Sequence, residues 1–172
     1  RIREALEWIR DLKNKDVTLD AEYFETLVNG LCRADRIADA LEIIDIMKKK
    51  HLIDGKVYGI IISGYLRRND VSKALEMFQS MKESEHLPMT STYTELMQRL
   101  FRLGEYEKGC MLYDEMLEKG VEPDTVAITA MVAGHISQNH ISEAWKVFKS
   151  MEDMGIRPTW KSYSVFIKEL CK

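Results

Sequence analysis

Arg33, Arg67, Arg102 and Lys172 are the residues whose type and spacing first suggest chemistry. The arginines stand 34 and 35 residues apart, and the lysine follows 70 residues later, with Ser137 midway. Cations repeated at a constant interval can track a row of anionic groups, and the phosphates of a single-stranded nucleic acid are such a row. The chain around them is acidic, with 25 Lys and Arg against 28 Asp and Glu and a net charge of −3. That balance argues against a generally basic coat and makes cations held in phase stand out, because incidental surface charge does not keep a period.

Other reactive residue types form no constellation. His51 and His86 fall between repeating segments, His135 sits on an apolar stripe and His140 in a turn. None is spaced from a cysteine as zinc ligands are, so no metal site and no cofactor is expected. Cys32, Cys110 and Cys171 are odd in number and far apart, which reads as reduced, half-buried thiols. Glu76, Glu107, Asp114, Glu115 and Glu118 read as a solvated helix face paired with lysines. There is no glycine-rich phosphate loop, nucleophile elbow or paired-acid motif, so neither an enzyme nor a small-molecule substrate is expected. No run of about 18 apolar residues is present, which leaves no membrane-spanning helix, and no signal or transit segment is evident.

The elements that would position the cations follow from the same period. Pro88, Pro123 and Pro158 are 35 residues apart, and Met47, Met81, Met116 and Met151 keep the same beat. So do Ala5, Ala40, Ala74, Gly109 and Ala144. Such self-similarity signals stacked units that bury their apolar faces against one another. The complete units are 21–54, 55–89, 90–124 and 125–159, flanked by half units at 1–20 and 160–172. The chain therefore reads as a fragment of a longer array without terminal capping units. In each unit, apolar residues at places 4, 7, 8 and 11 make one helix face, for example Tyr93, Leu96, Met97 and Leu100. A second helix follows at places 17, 20, 21, 24 and 27, as in Ile141, Ala144, Trp145, Phe148 and Met151. Gly120 and Gly155 suit left-handed C-terminal caps, and Thr, Ser or Asp just before the next unit can cap its first helix. The expected architecture is all-α, a right-handed superhelical α-solenoid of about ten helices. At 100° per residue, places 2, 5, 9 and 13 of each first helix lie within about 80° of one another, away from the apolar stripe. Place 9 adds the polar groups of Asn29, Ser63, Gln98 and Lys168, with Ala133 as an exception.

These units resemble the pentatricopeptide repeat. The resemblance is carried by Thr92-Tyr93-Thr94-Glu95-Leu96-Met97, Tyr113-Asp114-Glu115-Met116 and Gly120-Val121-Glu122-Pro123-Asp124, and again by Phe24 to Arg33. It covers the whole chain, and the regular 35-residue spacing is similar to the pure, or P-type, subclass. The resemblance implies a non-catalytic superhelix that binds single-stranded organellar RNA in the mitochondrion or, as the alternative, the chloroplast. It implies effects on processing, stability, splicing, editing or translation of transcripts, and about one base read per repeat.

Carried over place by place, the resemblance implies base-reading pairs Glu25 with Asp54, Gly59 with Met89, Thr94 with Asp124, and Thr129 with Thr159. Ser164 and Asp20 belong to the incomplete units. Thr94 with Asp124 favours guanine by this analogy, since the Thr hydroxyl can donate or accept and Asp accepts from an N–H. Thr129 with Thr159, and Ser164, are compatible with purines. Glu25 beside Asp54 repels phosphate, and Gly59 with Met89 has nothing to read with. The base-clasping place 2 is aliphatic only at Val126, the others being Glu22, Lys56, Ser91 and Lys161. General RNA affinity through Arg33, Arg67, Arg102 and Lys172 is thus expected to exceed tight readout. The alternative is a protein-interaction scaffold in an organellar ribosome or other ribonucleoprotein, motivated by the acidic net charge, the Glu25 and Gly59 with Met89 departures, and apolar Phe101 and Ile136 near the groove.

Overall fold

The computed structural model describes residues 21–170. Among them the chain forms nine α-helices and no strand: α1 (Ala21–Arg33), α2 (Ile37–Lys49), α3 (Gly55–Arg67), α4 (Val71–Glu83), α5 (Thr90–Arg102), α6 (Tyr106–Glu118), α7 (Thr125–Ser137), α8 (Ile141–Asp153) and α9 (Trp160–Leu170). The four complete units each give two helices of 13 residues at the same two places. The helix expected within 1–20 lies outside the described residues. No described helix is long and apolar enough to cross a membrane.

Both turns of a unit close by the same device. Each of the eight helices of the complete units is followed by a residue in the left-handed region, and the next amide reaches back five residues to a carbonyl. After the second helices these bonds run from Leu52, His86, Val121 and Ile156 to the carbonyls of Met47, Met81, Met116 and Met151, at 2.9, 3.1, 2.9 and 2.8 Å. After the first helices they run from Arg36, Asp70, Glu105 and His140 to Leu31, Tyr65, Leu100 and His135, at 2.9, 3.0, 2.9 and 2.9 Å. Gly120 and Gly155 hold the left-handed position as expected, but His51 and Glu85 hold it in the first two units.

The chain divides into two compact units, one ending at Leu87 and one starting at Pro88. In the first, α1 packs on α2, α3 on α4, and α3 lies against both α1 and α2. In the second, α5 packs on α6, α7 on α8, α7 lies against α5 and α6, and α9 packs on α7. The apolar stripes fill the interior: Val28, Tyr58, Ile61, Ile62, Tyr93, Leu96, Met97 and Ile128 are buried, as are all four periodic methionines. Ala40, Ala74, Gly109 and Ala144 are buried too.

Four placements differ from the periodic reading. Ile141 and Trp145 stand 39% and 49% exposed rather than inside. The Trp145 indole is larger than Leu41, Leu75 or Cys110 at the same place; it stacks on Phe148 at 5.8 Å and meets Phe166 edge-on, leaving its outer part in solvent. Places 3 and 12 are buried in most units as well: Val57, Thr92, Ala127 and Ser162 at the first, though Tyr23 is exposed, and Cys32, Leu66 and Ile136 at the second, where Phe101 is half-buried. Within the first compact unit Cys32 lies beside Gly64 of α3, and within the second Ser162 meets Thr129 of α7, contributions that a single helix's period does not contain.

Candidate nucleic-acid interface

Arg33, Arg67 and Arg102 are the last residues of α1, α3 and α5, and all three are exposed. A cation there also complements the negative end of the helix dipole, worth roughly 0.3–1 kcal/mol. In the first unit, packing of α1 on α3 brings Arg33 and Arg67 to the ends of neighbouring helices. Burial pushes the Cys32 thiol up, and the nearby Arg67 charge opposes that shift. Arg68 joins the same edge and pairs with Asp35 at 3.2 Å. In the second unit Arg102 holds this place on α5, while Ser137 on α7 turns its hydroxyl back to the Gly134 carbonyl at 2.7 Å. Lys172 and Asp20 lie outside the described residues.

The residue before each of α3, α5 and α7 stands at the N-cap. Asp54 Oδ1 accepts from the amides of Lys56 and Val57 at 3.0 and 3.1 Å, and Asp124 Oδ1 accepts from Ala127 at 2.7 Å. Each carboxylate keeps its second oxygen for another partner. Met89 occupies the same place before α5 without a side-chain cap and is exposed.

The hydroxyls are more committed than the sequence implied. Thr94 is buried and donates to the Thr90 carbonyl at 2.8 Å. Thr129 donates to Thr125 at 2.6 Å, and Ser164 to Lys161 at 2.8 Å. With their protons bound to their own helices, these oxygens keep acceptor capacity only, whereas the sequence reading allowed either role. Thr159 is exposed, Glu25 and Gly59 are half-buried on α1 and α3, and Val126 is exposed at the second residue of α7.

Two features escaped the sequence reading. Ser162, 1% exposed, lies 2.8 Å from Thr129 Oγ1 and 3.3 Å from Thr159 Oγ1. Tyr106 on α6 sets its hydroxyl between two imidazoles, 2.7 Å from Nδ1 of His135 and 3.1 Å from Nδ1 of His140. Burial, then a bond with Cys110, pushes the Tyr106 phenol up to about 12. Among the described residues no group of three or more His, Cys, Asp and Glu is placed to hold a metal. The alternation of hydroxyl and aliphatic residues at place 3 was the available signal for Ser162; no local signal linked Tyr106 to His135.

The apolar groove residues behind the scaffold alternative are not an open patch. Ile136 is buried, and the half-buried Phe101 ring rests where the Cβ of residue 109 or 134 would be, at 2.3 and 2.7 Å, places that Gly109 and Gly134 leave empty. The two residues therefore form no exposed apolar patch, which was one of the features behind a protein partner.

Comparison with known proteins points to one repeat family. The PPR repeat family matches residues 88–135 and 123–172, and further PPR repeat matches cover 56–86 and 15–48. A putative mitochondrial pentatricopeptide repeat-containing protein of Arabidopsis thaliana is 67% identical over 146 residues, 85% of this chain and 14% of that protein. A chloroplastic pentatricopeptide repeat-containing protein of the same plant is 30% identical over 88 residues, 51% of this chain and 18% of that protein. The chain thus spans only about a seventh of the first relative's length. Among solved structures, maize PPR10 matches with a TM-score of 0.74 at 20% identity, over 95% of this chain and 24% of PPR10. The PPR domain of A. thaliana protein-only RNase P 1, solved with tRNA, matches at 0.77 and 14% identity, over 99% of this chain and 91% of that domain. At these identities the structures establish the fold, and together with the matched repeats they lead to one conclusion: the chain belongs to the pentatricopeptide repeat family.

Proposed function

We propose that this chain is part of an array that binds single-stranded RNA in an organelle, most simply the mitochondrion, and acts in transcript processing, stability or translation without catalysing a reaction. The observation that carries the reading is one exposed arginine ending the first helix of three consecutive units, Arg33, Arg67 and Arg102. Lys172 continues the series in sequence. The cations hold phosphates while Asp124 and the Thr94 and Thr129 oxygens face bases as acceptors; Val126 supplies an apolar contact. PPR10 has been solved with an 18-nt psaJ RNA element, which supports RNA as the ligand class. The relatives' names support an organelle, with a mitochondrial one sharing the highest identity quoted above.

Replacing Arg33, Arg67 and Arg102 by Glu in the intact protein is expected to abolish binding to a randomised single-stranded RNA pool while leaving the far-UV circular dichroism unchanged. With Lys172 included, four phosphate contacts at roughly 0.7 each give a slope of log K against log salt near −3. Unchanged affinity in the triple variant would sink the proposal.

A further inference from the structure

We infer that Ser162 is a positioning residue that turns Thr129 and Thr159 into a pair of hydrogen-bond acceptors, and so selects a base that offers two adjacent N–H groups. This rests on the RNA-binding reading above and names the specificity of one of its sites.

The inference follows from counting protons. Thr129 spends its only hydroxyl proton on the Thr125 carbonyl at 2.6 Å. In the 2.8 Å contact between Thr129 and Ser162, Ser162 must therefore be the donor. Ser162 then has only lone pairs left, so it accepts from the Thr159 amide at 3.4 Å and from the Thr159 hydroxyl at 3.3 Å. The protons run one way, from Thr159 to Ser162 to Thr129 to the α7 backbone. Burial of Ser162 keeps water from competing for this order. Thr159, exposed, and Thr129, half-buried, are left with lone pairs alone to offer. Guanine is the base whose Watson–Crick edge has two neighbouring donors, N1–H and N2–H. Uracil sets carbonyl oxygens on either side of its single N–H, and these would face the lone pairs.

The neighbouring site supplies an internal comparison. In α7, the residue at the place of Ser162 is Ala127, fully buried and without a hydroxyl. Thr94 and Asp124 therefore have no such link, and Asp124 instead accepts the Ala127 amide. Ala127 also shows that alanine packs at this place, so Ser162→Ala is expected to fold.

The test is selection from a randomised single-stranded RNA pool with the intact protein as wild type, Ser162→Ala and Ser162→Thr. Asp124→Asn marks the register, because its altered nucleotide should neighbour the one altered by Ser162→Ala. Wild type is expected to prefer guanine at the Thr129 and Thr159 nucleotide. Ser162→Ala frees the Thr159 proton to donate and should lower that preference by about fivefold or more, a bidentate base contact being worth at least that much discrimination. Preferences elsewhere should stay as in wild type, and Ser162→Thr should retain the guanine preference. An unchanged preference in Ser162→Ala, a uniform loss at every nucleotide, or a wild type indifferent to the base there overturns the inference while leaving RNA binding intact. A wild type that binds no RNA overturns the functional proposal itself, and this inference with it.

Discussion

Gly109→Ala should destabilise the chain, although alanine is the better helix former by about 1 kcal/mol. A Cβ added at Gly109 would sit 2.3, 2.7 and 2.8 Å from Cε1, Cζ and Cδ1 of Phe101. Carbon atoms rest about 3.5–4.0 Å apart, so three ring atoms would overlap at once. The ring has no free retreat, because it also lies 2.7 Å from where a Cβ on Gly134 would be. Relief requires swinging Phe101 into solvent or parting α5 from α6. Overpacking of this kind costs about 1–3 kcal/mol, and the triple overlap argues for the upper end, leaving a net loss of about 2 kcal/mol after the propensity gain. The other units show how the conflict is avoided. They combine alanine at Ala40, Ala74 and Ala144 with the smaller Cys32, Leu66 and Ile136 in place of Phe101. Adding Phe101→Leu to Gly109→Ala should therefore recover most of the loss, although Phe101→Leu alone removes apolar contact. Urea unfolding of wild type, both single variants and the double variant, followed by far-UV circular dichroism, gives the coupling directly. A Gly109→Ala chain as stable as wild type, or additive effects in the double variant, would refute the clamp.

Two further outcomes follow from the turns and the buried histidine. Glu85 holds φ 59° where Gly120 and Gly155 hold 69° and 68°, so Glu85→Gly should raise the unfolding free energy by about 0.5–1 kcal/mol once the extra freedom of glycine in the unfolded chain is deducted, read as a higher urea midpoint; a lower midpoint would argue against strain at that residue. His135 is held below its usual range first by burial, with His140 adding to the shift and Glu143 opposing it. A depressed histidine pKa means the folded state prefers the neutral ring, so its stabilisation is complete above the ordinary value of about 6.5 and is lost as pH falls below that. Melting temperature should drop between pH 7 and pH 5, and the drop should shrink in His135→Leu; an unchanged slope would refute the assignment.

The sequence alone determined the repeated helix pair and the main apolar stripe of its first helices. The physical reason is that these are local: a 3.6-residue period, left-handed turn residues such as Gly120, and capping Asp124 all act within a few residues of chain. It also placed the arginines, since a residue ending a helix at the same place in each unit stays at its end whatever packs beside it. What only tertiary structure decided lies between units. Ile136 reads as a groove residue until the neighbouring unit closes over it, and the Phe101 ring needs the absent side chains of Gly109 and Gly134 together. The hydroxyls are the sharpest case. Thr129 read alone can donate or accept; the carbonyl below it and Ser162, 33 residues along the chain, remove that choice. A hydroxyl has one proton, and which neighbour takes it depends on distances that only packing sets.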